Sequence, residues 1–112
     1  MRNLLFNVNH MRNVLEYIRD NDQCWETQAD GQRCFSSHTI IRVYCGMYEH
    51  EYVAWVVDYQ FHDHVFEDLH KKIGQDLSYC SEQRTLPITK VDNYPSGTIH
   101  GTIDRPMWWK FV

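Results

Sequence analysis

The chain has 112 residues, 43% of them hydrophobic and 23% charged, with a net charge of −4. That length supports one core without staples, and that composition excludes a fibrous or intrinsically disordered chain. The acidic balance argues against non-specific nucleic-acid binding, which depends on Lys and Arg at phosphates.

The imbalance is uneven. Residues 1–83 carry 7 basic and 13 acidic side chains, whereas residues 84–112 carry Arg84, Lys90, Arg105 and Lys110 against Asp92 and Asp104. Near the start, Leu4-Leu5-Phe6 is too short an apolar run for a signal peptide or a membrane span. A cytoplasmic protein without membrane contact is therefore expected. Its four cysteines (Cys24, Cys34, Cys45, Cys80) are then expected as reduced thiols.

Alternation of Leu4, Phe6 and Val8 predicts a short first strand. Asn9 can cap a following helix that places Met11, Val14, Leu15 and Ile18 on one face through Asp20; a start at Asn3 instead aligns Leu4, Val8, Met11, Leu15 and Ile18. Asp30-Gly31 predicts a hairpin in which Thr27 faces Cys34, with Cys24 too far away for a disulfide. The strongest β signal covers residues 38–60. Thr39, Ile41, Val43 and Cys45 share one face of a strand, and Val53, Trp55, Val57 and Tyr59 share one face of the next.

A second helix is predicted at Asp63–Ile73, capped by Asp63, striped by Val65, Phe66, Leu69 and Ile73, and stopped at Gly74. Leu77–Cys80 and Leu86–Val91 read as short strands, and residues 92–97 as a turn. Gly97-Thr98-Ile99-His100 is echoed by Gly101-Thr102-Ile103-Asp104, a Thr-Ile pattern that favours a strand. Beyond Pro106, Met107-Trp108-Trp109-Lys110-Phe111-Val112 is expected as a further strand. Its Met107/Trp109/Phe111 face packs inward and its Trp108/Lys110 face is left for a partner. The fold class is α+β: two amphipathic helices packed on a mostly antiparallel β-sheet, in a single domain over residues 1–112.

Zinc ligands come as close Cys or His pairs, and no cysteine pair here has that spacing. His62-Asp63-His64 at a helix start sends its two rings about 200° apart, which defeats chelation. No metal and no cofactor is expected. Cys45, with His50 nearest in sequence, and Cys80 are candidate nucleophiles, but free cysteines are more often small buried hydrophobes. His100-Gly101-Thr102-Ile103 resembles one arm of the 2H phosphoesterases, in which an imidazole and a hydroxyl two residues apart reach one phosphate. That resemblance covers four residues and implies a phosphoesterase-like enzyme using His100 and Thr102. The only mate, Ser37-His38-Thr39-Ile40, sets its threonine directly after the histidine, on the opposite face of a strand.

Phosphate-binding and nucleophile-elbow motifs are absent. What remains is surface. Tyr48-Glu49-His50-Glu51-Tyr52 reads as a tyrosine-framed acidic hairpin loop, and with Trp108 and Lys110 it makes the expected partner-binding set. The leading expectation is a non-enzymatic interaction module for a protein or nucleoprotein complex, with a homodimer as a version of the same idea. In type it resembles small phage-encoded inhibitors of host defence such as anti-CRISPR proteins. A small phosphoesterase is the alternative.

Overall fold

Asn7 opens the first helix: its backbone is extended and its side chain accepts from the His10 amide at 3.1 Å. Helix α1 (Val8–Asp20) then buries Met11, Val14, Leu15 and Ile18, the stripe expected from their spacing. The cap is neither Asn9 nor Asn3, and the expected strand at Leu4–Val8 does not form. Its backbone is tied elsewhere in this computed structural model, which describes residues 2–28, 30–91 and 107–112. The Leu5 amide donates to Asp76 Oδ2 at 2.8 Å, while Arg2 Nε and Lys72 Nζ reach Asp76 Oδ1 at 3.0 and 2.9 Å. Asp76 is fully buried, so its charge is held by two cations and a backbone donor together.

A single 3₁₀ turn, Asp22–Cys24, leads to β1 (Glu26–Thr27) and β2 (Arg33–Ser36), an antiparallel hairpin. Gly31 takes φ +84, the left-handed conformation that suits glycine. Thr27 pairs with Arg33 and Glu26 with Cys34, one residue away from the expected register. The Gln28 amide bonds the Gln32 carbonyl at 2.8 Å, closing the loop one residue earlier than the turn signal alone implied.

Residues 38–58 are helical except Tyr48, which overturns the two expected strands. Helix α2 (Ser37–Met47) is capped by Ser36, whose hydroxyl accepts from the Thr39 amide at 3.2 Å, and α3 (Glu49–Asp58) follows after Tyr48 alone. The β-branched alternation coexisted with a helical set, Ile40, Ile41 and Tyr44, then Tyr48, Tyr52, Trp55 and Tyr59. Burying that set against neighbouring helices outweighs β propensities that span only about 1 kcal/mol. The expected loop at Tyr48–Tyr52 is consequently the start of α3.

Helix α4 (Val65–Glu82) runs through Gly74 and includes the expected strand at Leu77–Cys80. Leu69, Ile73, Leu77 and Cys80 form one continuous buried stripe. Gly74 serves close approach and not termination: a Cβ there would meet the Met107 Cε atom. Asp63 lies outside the helix, and Phe66, expected in the stripe, points to solvent.

Strands β3 (Ile88–Val91) and β4 (Trp108–Phe111) complete an antiparallel sheet of order β1-β2-β4-β3. β4 lies between β2 and β3, opposing Phe35 with Trp109 and Ile88 with Phe111. Trp109 is fully buried, its indole Nε1 donating to Ser37 Oγ at 3.0 Å, while the Ser37 amide bonds the Met107 carbonyl at 2.8 Å. Trp108, expected as the exposed partner-facing residue, is only 9% exposed. The α+β class holds, with four α-helices and this sheet among the described residues. His100 and Thr102, and the Gly-Thr-Ile repetition containing them, lie outside those residues.

Candidate interaction surface and clefts

Among the described residues, three places outside the core carry chemistry besides the arginine-lined cleft described below. At the junction of α2 and α3, Glu51 accepts from the Tyr44 hydroxyl at 2.9 Å and pairs with His10 Nδ1 at 2.6 Å. His10 stacks on Tyr48 at 4.1 Å between centroids, and the Tyr48 hydroxyl accepts from Asn13 at 2.9 Å. Burial, and then the hydrogen bond to Glu51, push the Tyr44 phenol well above its usual value. The carboxylate thus orients an imidazole, but His10 lines neither of the two clefts described below.

Most of the sequence-predicted partner set is consumed by these contacts. Tyr48 and Glu51 are half-buried and bonded internally, and Tyr52 donates to or accepts from His70 Nε2 at 2.9 Å. Only Glu49, His50 and Lys110 of that set are exposed, and Lys110 belongs to the distant strand β4.

The second place is a cleft of about 440 Å³ lined by His38, Ile41, Arg42, Cys45, Tyr52 and His70. Burial raises the Tyr52 phenol, with the nearby Cys45 adding to the effect, so this hydroxyl stays protonated and cannot serve as a base near neutral pH. No described group hydrogen-bonds the Cys45 sulfur. Cys24, Cys34, Cys45 and Cys80 are all free thiols, the Cys80 thiol pushed up by burial and then by Asp76. Among the described residues no three His, Cys, Asp or Glu side chains converge as a metal site would require.

The third place is the arm formed by α3, the turn after it and the start of α4. Here Val53, Val57, Phe61 and Phe66 are 52, 53, 90 and 56% exposed, the largest concentration of exposed apolar side chains among the described residues. Val53 and Val57 lie one turn apart on the outer side of α3. The turn is held by His62, which pairs with Asp68 at 2.9 Å and stacks on Tyr59 at 4.5 Å. Residues 43–70 contain six acidic side chains (Glu49, Glu51, Asp58, Asp63, Glu67, Asp68) and no Lys or Arg.

Sequence reasoning missed this arm because a strand reading placed Val53 and Val57 on one face with Trp55 and Tyr59. On a helix, Val53 and Val57 depart from the Tyr48, Tyr52, Trp55, Tyr59 stripe, and that departure is the signal that could have found them. Comparison with known proteins finds no matching family model, no similar curated protein and no similar solved structure. Among the described residues no helix is long and apolar enough to cross a membrane.

Proposed function

We propose that this chain is a non-enzymatic interaction module that docks its α3–α4 arm on a protein partner with a basic, partly apolar surface. The observation that carries this reading is the exposure of Val53, Val57, Phe61 and Phe66 within a 28-residue stretch holding six acids and no Lys or Arg. Apolar side chains supply the area removed from water, and the acidic surround selects and steers a cationic partner. Surfaces that neutralise nucleic-acid phosphates have that chemistry. An arm docked on one would compete with nucleic acid, so the module acts as an inhibitor or regulator. This keeps the likeness in type to small phage-encoded inhibitors such as anti-CRISPR proteins.

The test is affinity capture from the cells that supply the gene, with wild type compared against Glu49→Lys/Asp58→Lys/Asp63→Lys. The wild type is expected to retain a stoichiometric protein in a salt-sensitive manner, and the folded charge-reversed variant to lose it. Equal retention by both would remove the arm from the account. A wild-type dimer that the same substitutions dissociate would replace the foreign partner with a second copy of this chain.

A further inference from the structure

A cleft of about 330 Å³ between α1 and the segment joining α4 to β3 is lined by Arg12, Arg19 and Arg84, with Glu16, Pro87 and Phe111 completing its walls. Among the described residues none of the three arginines makes an ion pair with a carboxylate. Arg12 spends two donors on Asn9 Oδ1 at 3.2 Å and the Thr85 carbonyl at 3.1 Å, which fixes its guanidinium at the rim. Arg19 lies 6.0 Å from the centroid of the half-buried Phe111 ring. In a chain of net charge −4, three arginines against one glutamate around a single concavity are a local reversal of sign.

Arg84 provides the second observation. Helix α4 ends in a paired capping arrangement: the Arg84 amide bonds the Ser81 carbonyl at 3.1 Å, and the Thr85 amide bonds the Cys80 carbonyl at 2.9 Å. That arrangement requires a left-handed residue at position 84, usually glycine, and Arg84 adopts it with φ 57. It is the one non-glycine residue with positive φ among those described, and it lines the cleft. A strained backbone at a cavity wall is a pointer to function, because folding alone favours glycine there.

We propose that this cleft binds a phosphomonoester with a hydroxylated, ring-bearing body, the chemistry of a nucleoside monophosphate. Among the described residues no hydrogen bond occupies the guanidinium donors of Arg84 and Arg19, which can grip phosphate oxygens in bidentate fashion, and Arg12 adds a fixed third charge. Phe111 and Pro87 offer an apolar wall for a ring, and Glu16 accepts hydrogen bonds from sugar hydroxyls while disfavouring a bare polyanion. The volume lies at the small end of the range for small-molecule sites, roughly 300–1,000 Å³.

Calorimetric titration of the intact protein with AMP, adenosine, inorganic phosphate and a short single-stranded oligonucleotide tests this without any protein partner. AMP is expected to bind, at least tenfold more tightly than adenosine or inorganic phosphate, and to weaken as salt rises. Arg84→Gly is expected to weaken AMP at least tenfold while raising the thermal midpoint of the free protein, which separates lost binding from lost folding. Arg19→Gln is expected to weaken AMP without that rise. No AMP binding at millimolar concentration, or AMP affinity unchanged in both variants, would overturn the site. Inorganic phosphate binding as tightly as AMP would overturn the ring-bearing ligand, and oligonucleotide binding without AMP binding would overturn a small-molecule site.

Discussion

The α3–α4 arm and the packed frame around β4 use aromatic residues in contrary ways. Around β4, Trp25, Phe35 and Phe111 pack ring against ring at 5.0 to 5.5 Å, and the Trp109 indole finds its hydroxyl partner in Ser37. On the arm, Phe61 and Phe66 stay in water beside carboxylates. Full burial of a phenylalanine is worth roughly 1.5–3 kcal/mol; Phe61 forgoes nearly all of that and Phe66 about half. That difference sets a frame that buries its rings against an arm that leaves them exposed, and the exposed rings are what the proposed docking rests on.

Charge divides along the same line. With residues 43–70 removed, the remainder of the chain is two positive, so the net acidity of the protein comes from the arm. The cationic cleft of Arg12, Arg19 and Arg84 lies wholly in the remainder.

The largest expected effect comes from the frame. Trp109→Ala removes a fully buried indole from the central region of the sheet and should cost about 3–5 kcal/mol in equilibrium unfolding, against less than about 0.5 for Lys110→Ala one residue away. Near-equal costs would break the contrast at its strongest point.

Next is Asp76→Ala, which strands the Leu5 amide and leaves Arg2 and Lys72 without their shared carboxylate. A loss of about 3 kcal/mol is expected, with early proteolysis near residues 2–6 as the local readout.

A smaller effect is expected at high pH. The Tyr44, Tyr52 and Cys80 side chains are all raised above ordinary values of 10.0, 10.0 and 9.0, so the folded state holds these protons after the unfolded chain releases them. Stability is then complete below pH 9 and falls as pH climbs through 9 to 10 and beyond. Tyr44→Phe should flatten part of that alkaline decline. It should also cost about 1 kcal/mol at neutral pH through the lost bonds to Glu51 and the Asn7 amide. An unchanged alkaline slope would mean that the Tyr44 phenol is not buried as described.

How much of this was legible beforehand follows from which signals act locally. The α1 stripe, the strand at Ile88–Val91, the strand at Trp108–Phe111 and the α+β class could be read because periodicity and chemistry agreed there. Residues 38–60 could not, because β-branched residues satisfied an alternating pattern and a helical one together, and only packing against α1 and α4 decides between them. Gly74 misled for a related reason. Its meaning depends on Met107, which no local window contains. Of the expected partner set, Glu49, His50 and Lys110 are on the surface, while Trp108 is covered and Tyr48, Glu51 and Tyr52 hold helices together. The arginine cleft was invisible because its residues come from α1 and from a turn some seventy positions later.

The smallest effect on stability is expected on the arm itself, and it is also where the account is most exposed. Val57→Ser/Phe61→Ser/Phe66→Ser should shift unfolding free energy by less than about 1 kcal/mol, since these side chains already face water. The decisive measurement is retention of the captured partner by this triple variant beside the wild type, at matched concentration and salt. The account predicts a folded variant that retains at least tenfold less partner. A variant that binds as the wild type does, or one that unfolds because these residues were holding the helices together, would contradict it.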